Sequence, residues 1–96
     1  MAKFHKTQDY NLVFHCPGCD KIHVVDQRWA FNNDLDKPTI SPSLLVRYPC
    51  AGVEEICHSF IKDGAIQFLS DCTHKMAGAT VDIPDFETTH PDWTDL

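Results

Sequence analysis

The chain has 96 residues, a formal net charge of −6 and a pI near 5.3, so its average electrostatic field repels a phosphate backbone. Its eight Lys and Arg residues are not clustered, which argues against nucleic acid as a partner. No apolar run approaches the ~18 residues of a membrane span, and no secretion signal is evident, so we expect a cytoplasmic protein with no membrane partner.

Five cysteines are an odd number, and a reducing compartment argues against a disulfide framework. A single domain of this length buries only ~60 to 65% of its unfolded surface, so its core would be marginal without a cross-link. Thiolates that hold a metal ion provide the better account of the cysteines.

The chain is predicted to form mostly strands, because Pro or Gly interrupts most windows with helical periodicity. Two short strands, at residues 10–15 and 22–25, flank the sequence Cys-Pro-Gly-Cys, which is typical of a zinc-knuckle turn. A further short strand is predicted at residues 29–31. Residues 44–46, Leu-Leu-Val, are predicted to form a buried strand.

The clearest hairpin is centred on Asp63-Gly64, which lies between two apolar, β-prone runs. Its turn predicts that residues 62 and 65, 60 and 67, 58 and 69, and 57 and 70 are opposite one another. Because side chains alternate between faces, one face is predicted to point to the core. That face carries Cys57, Ser59, Ile61, Ile66, Phe68, Ser70 and Cys72.

The predicted fold class is mostly β, a small β or α+β domain of antiparallel hairpins with little helix, held together by one zinc site. A last strand is predicted at residues 80–83. We expect residues 1–84 to form a single zinc-stapled β domain and residues 85–96 to form an acidic C-terminal tail, whose Trp93 could dock on the domain.

Cys16 and Cys19 form a C-x2-C pair, whose spacing lets a tight turn direct two sulfurs at one ion. A thioredoxin-like redox pair is the rival interpretation, but it belongs at a helix start in a βαβ fold. The predicted zinc ligands are Cys16, Cys19, Cys57 and His74, with Cys72 and His58 as substitutes for the fourth place. His23 is a reserve candidate, and Cys50 is interpreted as a bystander.

A sphere rich in thiolates favours a structural zinc, since catalytic zinc keeps a position open for water. A deaminase is discounted because its H-x-E and P-C-x-x-C signature on helices is missing. Chemistry without zinc needs a nucleophile and a base, and the stretch "SDCTH" at residues 70–74 concentrates such groups.

The ordered motifs "FHCPGC", "RWAFN", "PTISPSLLV", "CHSFIKDGAIQFLSDCTH" and "AGATVDIP" resemble a family of small phage and bacterial proteins of unknown function. The resemblance runs from about Phe14 to Pro84. Phage members often carry the label ammonia monooxygenase, which we regard as a misannotation. Larger relatives lie beside bacterial ubiquitin-like conjugation genes, so the resemblance implies a peptidase that removes such modifiers.

The resemblance also implies functional residues. It points to Cys16 and Cys19, to Cys57 or His58 as a further residue of the cysteine-rich signature, and to Ser43, Asp71 and His74. Relatives beside conjugation genes have Cys-x-Ser-His-Phe where this chain has Cys57-His58-Ser59-Phe60, so either Cys57 or His58 reaches the metal.

The sequence therefore supports two hypotheses. The first is a small zinc-binding hydrolase of the peptidase or isopeptidase (deubiquitinase-like) class, with Ser43, His58 and Asp71 as its catalytic cluster and a protein or ubiquitin-like substrate. In a variant of it, His58 or His74 completes an open zinc sphere, and Asp71 or Glu55 handles the proton. The second is a non-enzymatic phage module, active in the host bacterial cytoplasm, that binds or inhibits a host protein.

Overall fold

The computed structural model describes residues 2–93 and contains two antiparallel sheets, which confirms the mostly-β prediction. The first sheet has the order β1-β2-β3, with strands at His5–Lys6 (β1), Leu12–Cys16 (β2) and Lys21–Val25 (β3). The second has the order β4-β5-β6-β7-β8, with strands at Ala30–Phe31 (β4), Ile40–Cys50 (β5), Val53–Lys62 (β6), Ala65–Phe68 (β7) and Thr80–Asp82 (β8).

The core lies between the two sheets. Phe14, Cys16 and Val25 of the first sheet are buried in one cluster with Leu44 and Ile61 of the second. The two cysteines of the Cys-Pro-Gly-Cys segment lie at the end of β2 and in the following turn, as predicted.

The Asp63-Gly64 turn joins β6 to β7 with positive φ at both residues, 51° and 81°, as a type I′ turn requires. The predicted register is confirmed for Lys62 opposite Ala65 and for Phe60 opposite Gln67. The strand ladder ends at the pair of Ser59 and Phe68, but the Leu69 amide still donates to the His58 carbonyl at 2.9 Å, so these two residues keep the predicted register beyond the end of β7.

The predicted core face is confirmed at most of its positions but is wrong at Ser70, which is exposed because β7 ends before it. The other six residues are buried, namely Cys57, Ser59, Ile61, Ile66, Phe68 and Cys72. The prediction that Leu45 is buried with Leu44 is also wrong, since Leu45 is 44% exposed and Leu44 is 2% exposed. Successive strand residues point to opposite faces, so only one of the two can face the core.

Residues 85–93 of the predicted tail pack against the first sheet. They include a short helix at Phe86–Thr89 (α1), whose buried Phe86 stacks on the His5 ring with 5.3 Å between centroids. Trp93 lies edge-on to Phe86 at 5.5 Å, while residues 94–96 of the tail lie outside the described part of the chain. Among residues 2–93, no helix has the length and apolar character needed to cross a membrane.

Candidate active site and metal centre

Ser43 lies in a bulge of β5. Ile40 pairs with Ile61 and Leu44 pairs with Ser59, so a four-residue step on β5 opposes a two-residue step on β6. Bulges of this kind redirect side chains and are common beside functional sites. The Trp29 indole Nε1 donates a hydrogen bond to the Ser43 carbonyl at 3.3 Å, which supports the irregular backbone from outside the ladder.

His58 lies between Ser43 and Asp71. Its Nε2 is 3.0 Å from the Ser43 Oγ, and its Nδ1 is 3.0 Å from Asp71 Oδ2. With the proton on Nδ1, the ring donates to the carboxylate and its Nε2 accepts from the serine hydroxyl. This order of contacts is the one in which an imidazole can remove the serine proton while a carboxylate holds the ring.

The cluster of Ser43, His58 and Asp71 is open to solvent on one side. Ser43 is half-buried, the His58 side chain is 25% exposed, and the Asp71 side chain is 53% exposed. A substrate can therefore reach the cluster without any movement of the core.

A second cluster contains Cys16, Cys19, His23 and Cys57, whose ligand atoms all lie within 4.8 Å of one another, so these residues could hold a metal ion. Cys16 ends β2, Cys19 lies in the turn, His23 lies in β3, and Cys57 lies in β6. The Cys16 and Cys57 sulfurs are 3.8 Å apart. An ion at this position would join the two sheets.

His23 enters this cluster through the register of the first hairpin. It pairs directly with Phe14, two residues before Cys16, and alternation places these three side chains on one face. His23 is 4% exposed, and its Nε2 makes no hydrogen bond. A buried imidazole nitrogen that lacks a partner beside three sulfurs fits a metal ligand.

The electrostatics of the cluster reflect its crowded thiols. A hydrogen bond with Cys16, and then one with Cys57, holds the pKa of Cys19 well below its usual range, whereas hydrogen bonds with Cys16 and Cys19 raise the pKa of Cys57. Burial lowers the pKa of His23, but the facing sulfurs of Cys16 and Cys19 raise it to about 9. These shifts place a Cys19 thiolate beside a protonated His23 near neutral pH, so a metal ion that bound here would displace the proton of the imidazolium.

His74, the predicted fourth ligand, is not in this cluster. It belongs to a second group of potential metal ligands, which also contains Cys57 and Cys72. Its ring packs against Gly18 of the knuckle turn, so closely that a Cβ built on Gly18 would lie 2.4 Å from the His74 Cε1 atom. Its Nδ1 accepts a hydrogen bond from the Met76 amide at 3.2 Å. His23 therefore occupies the place beside Cys16 and Cys19 that the sequence interpretation gave to His74.

The remaining candidates lie as follows. The Cys72 sulfur contacts the backbone of His58, and the Glu55 carboxylate accepts a hydrogen bond from the Thr73 hydroxyl. The Cys50 side chain lies outside what the structure describes.

The adjacent residues Cys57 and His58 belong to different clusters. They point to opposite faces of β6, so Cys57 joins the buried sulfurs while His58 faces Ser43 on the outer side. His58 is in neither of the metal-ligating groups found among residues 2–93. Of the two alternatives left by the sequence, Cys57 is the one that lies with the potential metal ligands.

Sequence reasoning gave His23 only a reserve place, although a usable signal was present. If the hairpin that surrounds Cys-Pro-Gly-Cys is extended in register, residue 23 falls opposite residue 14 and on the same face as Cys16. The local signal for the bulge at Ser43 is Pro42, because proline in a strand that is paired on both sides is found at bulges, but it does not give the size of the shift.

No curated protein and no solved structure gave a match. A family profile described as "Bacterial ubiquitination-like system serine protease (BubE)" matches residues 2–69. The matched segment includes Ser43 and His58, and it ends two residues before Asp71. Since the match covers more than half of the sequence, the chain belongs to the BubE family of bacterial ubiquitination-like system serine proteases.

Proposed function

We propose that this chain is a serine peptidase or isopeptidase that cleaves a ubiquitin-like protein from a polypeptide in a bacterial conjugation system. Ser43 is the nucleophile, His58 is the general base and acid, and Asp71 orients His58. The observation that carries the proposal is the double contact of His58, at 3.0 Å to Ser43 and at 3.0 Å to Asp71, in a chain of a serine protease family.

In the proposed reaction, the Ser43 Oγ attacks the carbonyl carbon of the substrate amide while His58 Nε2 takes the hydroxyl proton. The C–N bond breaks as His58 returns this proton to the leaving amine, and an ester remains on Ser43. Water then attacks the ester, gives its proton to His58, and the proton returns to Ser43 as the acid product leaves. Asp71 accepts from the Nδ1–H throughout and stabilises the imidazolium.

The metal in this proposal is zinc, and its role is structural. Three thiolates and one imidazole, from Cys16, Cys19, Cys57 and His23, match the closed four-ligand sphere of structural zinc sites. Such an ion would fix Cys57 and so hold β6, the strand that presents His58. The reaction itself would not pass through the ion.

The proposal can be tested without knowing the natural substrate. A fluorophosphonate reacts with an activated serine, so it should label the zinc-loaded protein at Ser43, as located by mass spectrometry. Ser43→Ala should abolish labelling, and His58→Ala and Asp71→Asn should slow it strongly. Ser41→Ala is the matched control, since Ser41 is an exposed serine on the same strand.

A substrate assay completes the test. A ubiquitin-like protein fused to a reporter through its C-terminus, and its isopeptide-linked conjugate, should be cut by the wild type and by Ser41→Ala. If Ser43 is not labelled and cleavage survives Ser43→Ala, the proposal is wrong. The non-enzymatic alternative, a module that binds or inhibits another protein, would then be preferred.

A further inference from the structure

The outer face of the β5–β6 ladder carries two large apolar side chains beside the Ser43–His58 pair. Leu45 is 44% exposed and Phe60 is 48% exposed. Strand alternation places both on the His58 side of the sheet, opposite to the face that carries Cys57 and the core.

The register sets their distances from the reactive pair. Leu45 is paired directly with His58, which places the two Cβ atoms roughly 4.5–5.5 Å apart. Phe60 lies two residues along β6 from His58, or roughly 7 Å. Because Ser59 pairs with Leu44 and Ile61 pairs with Ile40, Phe60 faces the bulge that contains Ser43. Leu45 therefore lies beside the proposed base, and Phe60 lies beside the bulge that carries the proposed nucleophile.

Polar residues border this pair. Arg47 follows Leu45 on the same face, and Lys62 follows Phe60, and both are exposed. An exposed apolar pair with a charged rim is typical of a surface that recognises another molecule. In contrast, Val24 and Val53 are exposed to a similar degree, 54% and 61%, but lie on β3 and at the far end of β6.

We propose that Leu45 and Phe60 form a binding subsite for an aliphatic or aromatic side chain of an extended substrate segment, on the acyl side of the scissile bond. This proposal rests on the proposed function, since Ser43 must be the nucleophile. The acyl half of the substrate stays ester-linked to Ser43, and Phe60 at the level of the bulge can contact its side chain throughout. Burial of that side chain between Leu45 and Phe60 supplies selectivity, and apolar pockets of this kind typically discriminate by ~10–200-fold.

The test uses peptidyl diphenyl phosphonates, which react covalently with an activated serine and carry one variable side chain in the position next to the reactive phosphorus. Leu and Phe probes should label Ser43 at least about 10-fold faster than Ser and Asp probes. Leu45→Ser and Phe60→Ser should each remove most of this preference. Each rate is divided by the rate for a small fluorophosphonate without a side chain on the same variant, which removes any general change in the reactivity of Ser43.

Val24→Ser and Val53→Ser are the matched controls, because each removes an exposed apolar side chain elsewhere on the surface. They should keep the full preference. Loss of preference in these controls, or an unchanged preference in Leu45→Ser and Phe60→Ser, would overturn the subsite.

Two further results separate the alternatives. If the wild type self-associates, and Leu45→Ser yields a monomer with unaltered probe selectivity, the pair is an interface between copies and the subsite is wrong. If the small fluorophosphonate fails to label Ser43 and Ser43→Ala retains cleavage, the proposed function itself fails. Equal labelling of Ser43 by all four peptidyl probes would overturn the subsite alone.

Discussion

Cys72 holds the backbone of His58 through two hydrogen bonds. The His58 amide donates to the Cys72 Sγ at 3.2 Å, and the thiol donates back to the His58 carbonyl at 3.1 Å. Cys72 is buried and directly follows Asp71 in the sequence. One side chain therefore sets the spacing between the strand that carries the proposed base and the loop that carries the carboxylate.

We expect Cys72→Ala to lower kcat with little change in KM, because the loop is released and Asp71 moves relative to His58. A misplacement of about 1 Å in an active site can cost roughly 100-fold in rate. Cys72→Ser keeps a donor and an acceptor at this position, so it should retain most of the activity. The measurements are peptidase kinetics and the rate of fluorophosphonate labelling of Ser43.

A measurement of bound zinc shows whether Cys72 positions His58 or is itself a zinc ligand. Cys72→Ala should bind as much zinc as the wild type, and Ser70→Ala, a change at an exposed neighbour, should alter neither activity nor zinc. A loss of zinc in Cys72→Ala would contradict the positioning role and identify Cys72 as a ligand.

His23 and His74 give opposite expectations for metal binding. His23→Ala should lose tightly bound zinc and become less stable, because it removes one of four converging ligand atoms. His74→Ala should keep equimolar zinc, since the four ligands of the proposed site are intact. Elemental analysis after dialysis, with thermal unfolding in the presence and absence of chelator, measures both. Normal zinc in His23→Ala together with metal loss in His74→Ala would reverse the assignment.

The elements that could be predicted from the sequence are those set by neighbours in the chain. Asp63-Gly64 fixes a two-residue turn, so the register at Lys62 and Ala65 follows from local chemistry. The C-x2-C spacing likewise indicates that Cys16 and Cys19 lie close together, because a tight turn brings their sulfurs near one point.

The feature that could not be predicted depends on a break in strand register far from the turn that joins the two strands. The contact of Ser43 with His58 requires the bulge in β5, which shifts the register between Ile40 and Leu44. β6 follows β5 directly through the Ala51-Gly52 turn, but the shift lies at the other end of the ladder from that turn, and no period in "TISPSLL" fixes its size. The resemblance to known proteins nominated Ser43, and only the paired strands bring it to His58.

Zinc affinity should depend on pH through His23. In the metal-free protein, burial lowers the pKa of this imidazole, but Cys16 and Cys19 raise it to about 9. Below that pH the ring carries a proton that zinc must displace, so the apparent affinity rises as the pH rises towards about 9. Competition titrations with a chromophoric chelator, at several pH values on each side of about 9, measure this dependence.

Proton release gives an independent measure of the same effect. Calorimetry in buffers of different ionisation enthalpy should show fewer protons released per zinc above about pH 9 than at neutral pH. His74→Ala should show the same dependence as the wild type. An unchanged proton count across this range would mean that His23 does not supply a displaced proton.

Gly18 lets the knuckle turn approach the His74 ring. A Cβ at this position would lie 2.4 Å from Cε1 and 2.6 Å from Nε2 of His74. The ring cannot move aside freely, because it packs edge-on against the buried Phe68 with 4.5 Å between centroids. Gly18→Ala should therefore lower the free energy of unfolding of the zinc-loaded protein by about 1–3 kcal/mol, the usual cost of overpacking.

In the double variant Gly18→Ala with His74→Ala the clash is absent, so the alanine at residue 18 should cost much less than it does with His74 present. Denaturant unfolding of the wild type, both single variants and the double variant measures the coupling, and additive losses would contradict this account of the contact.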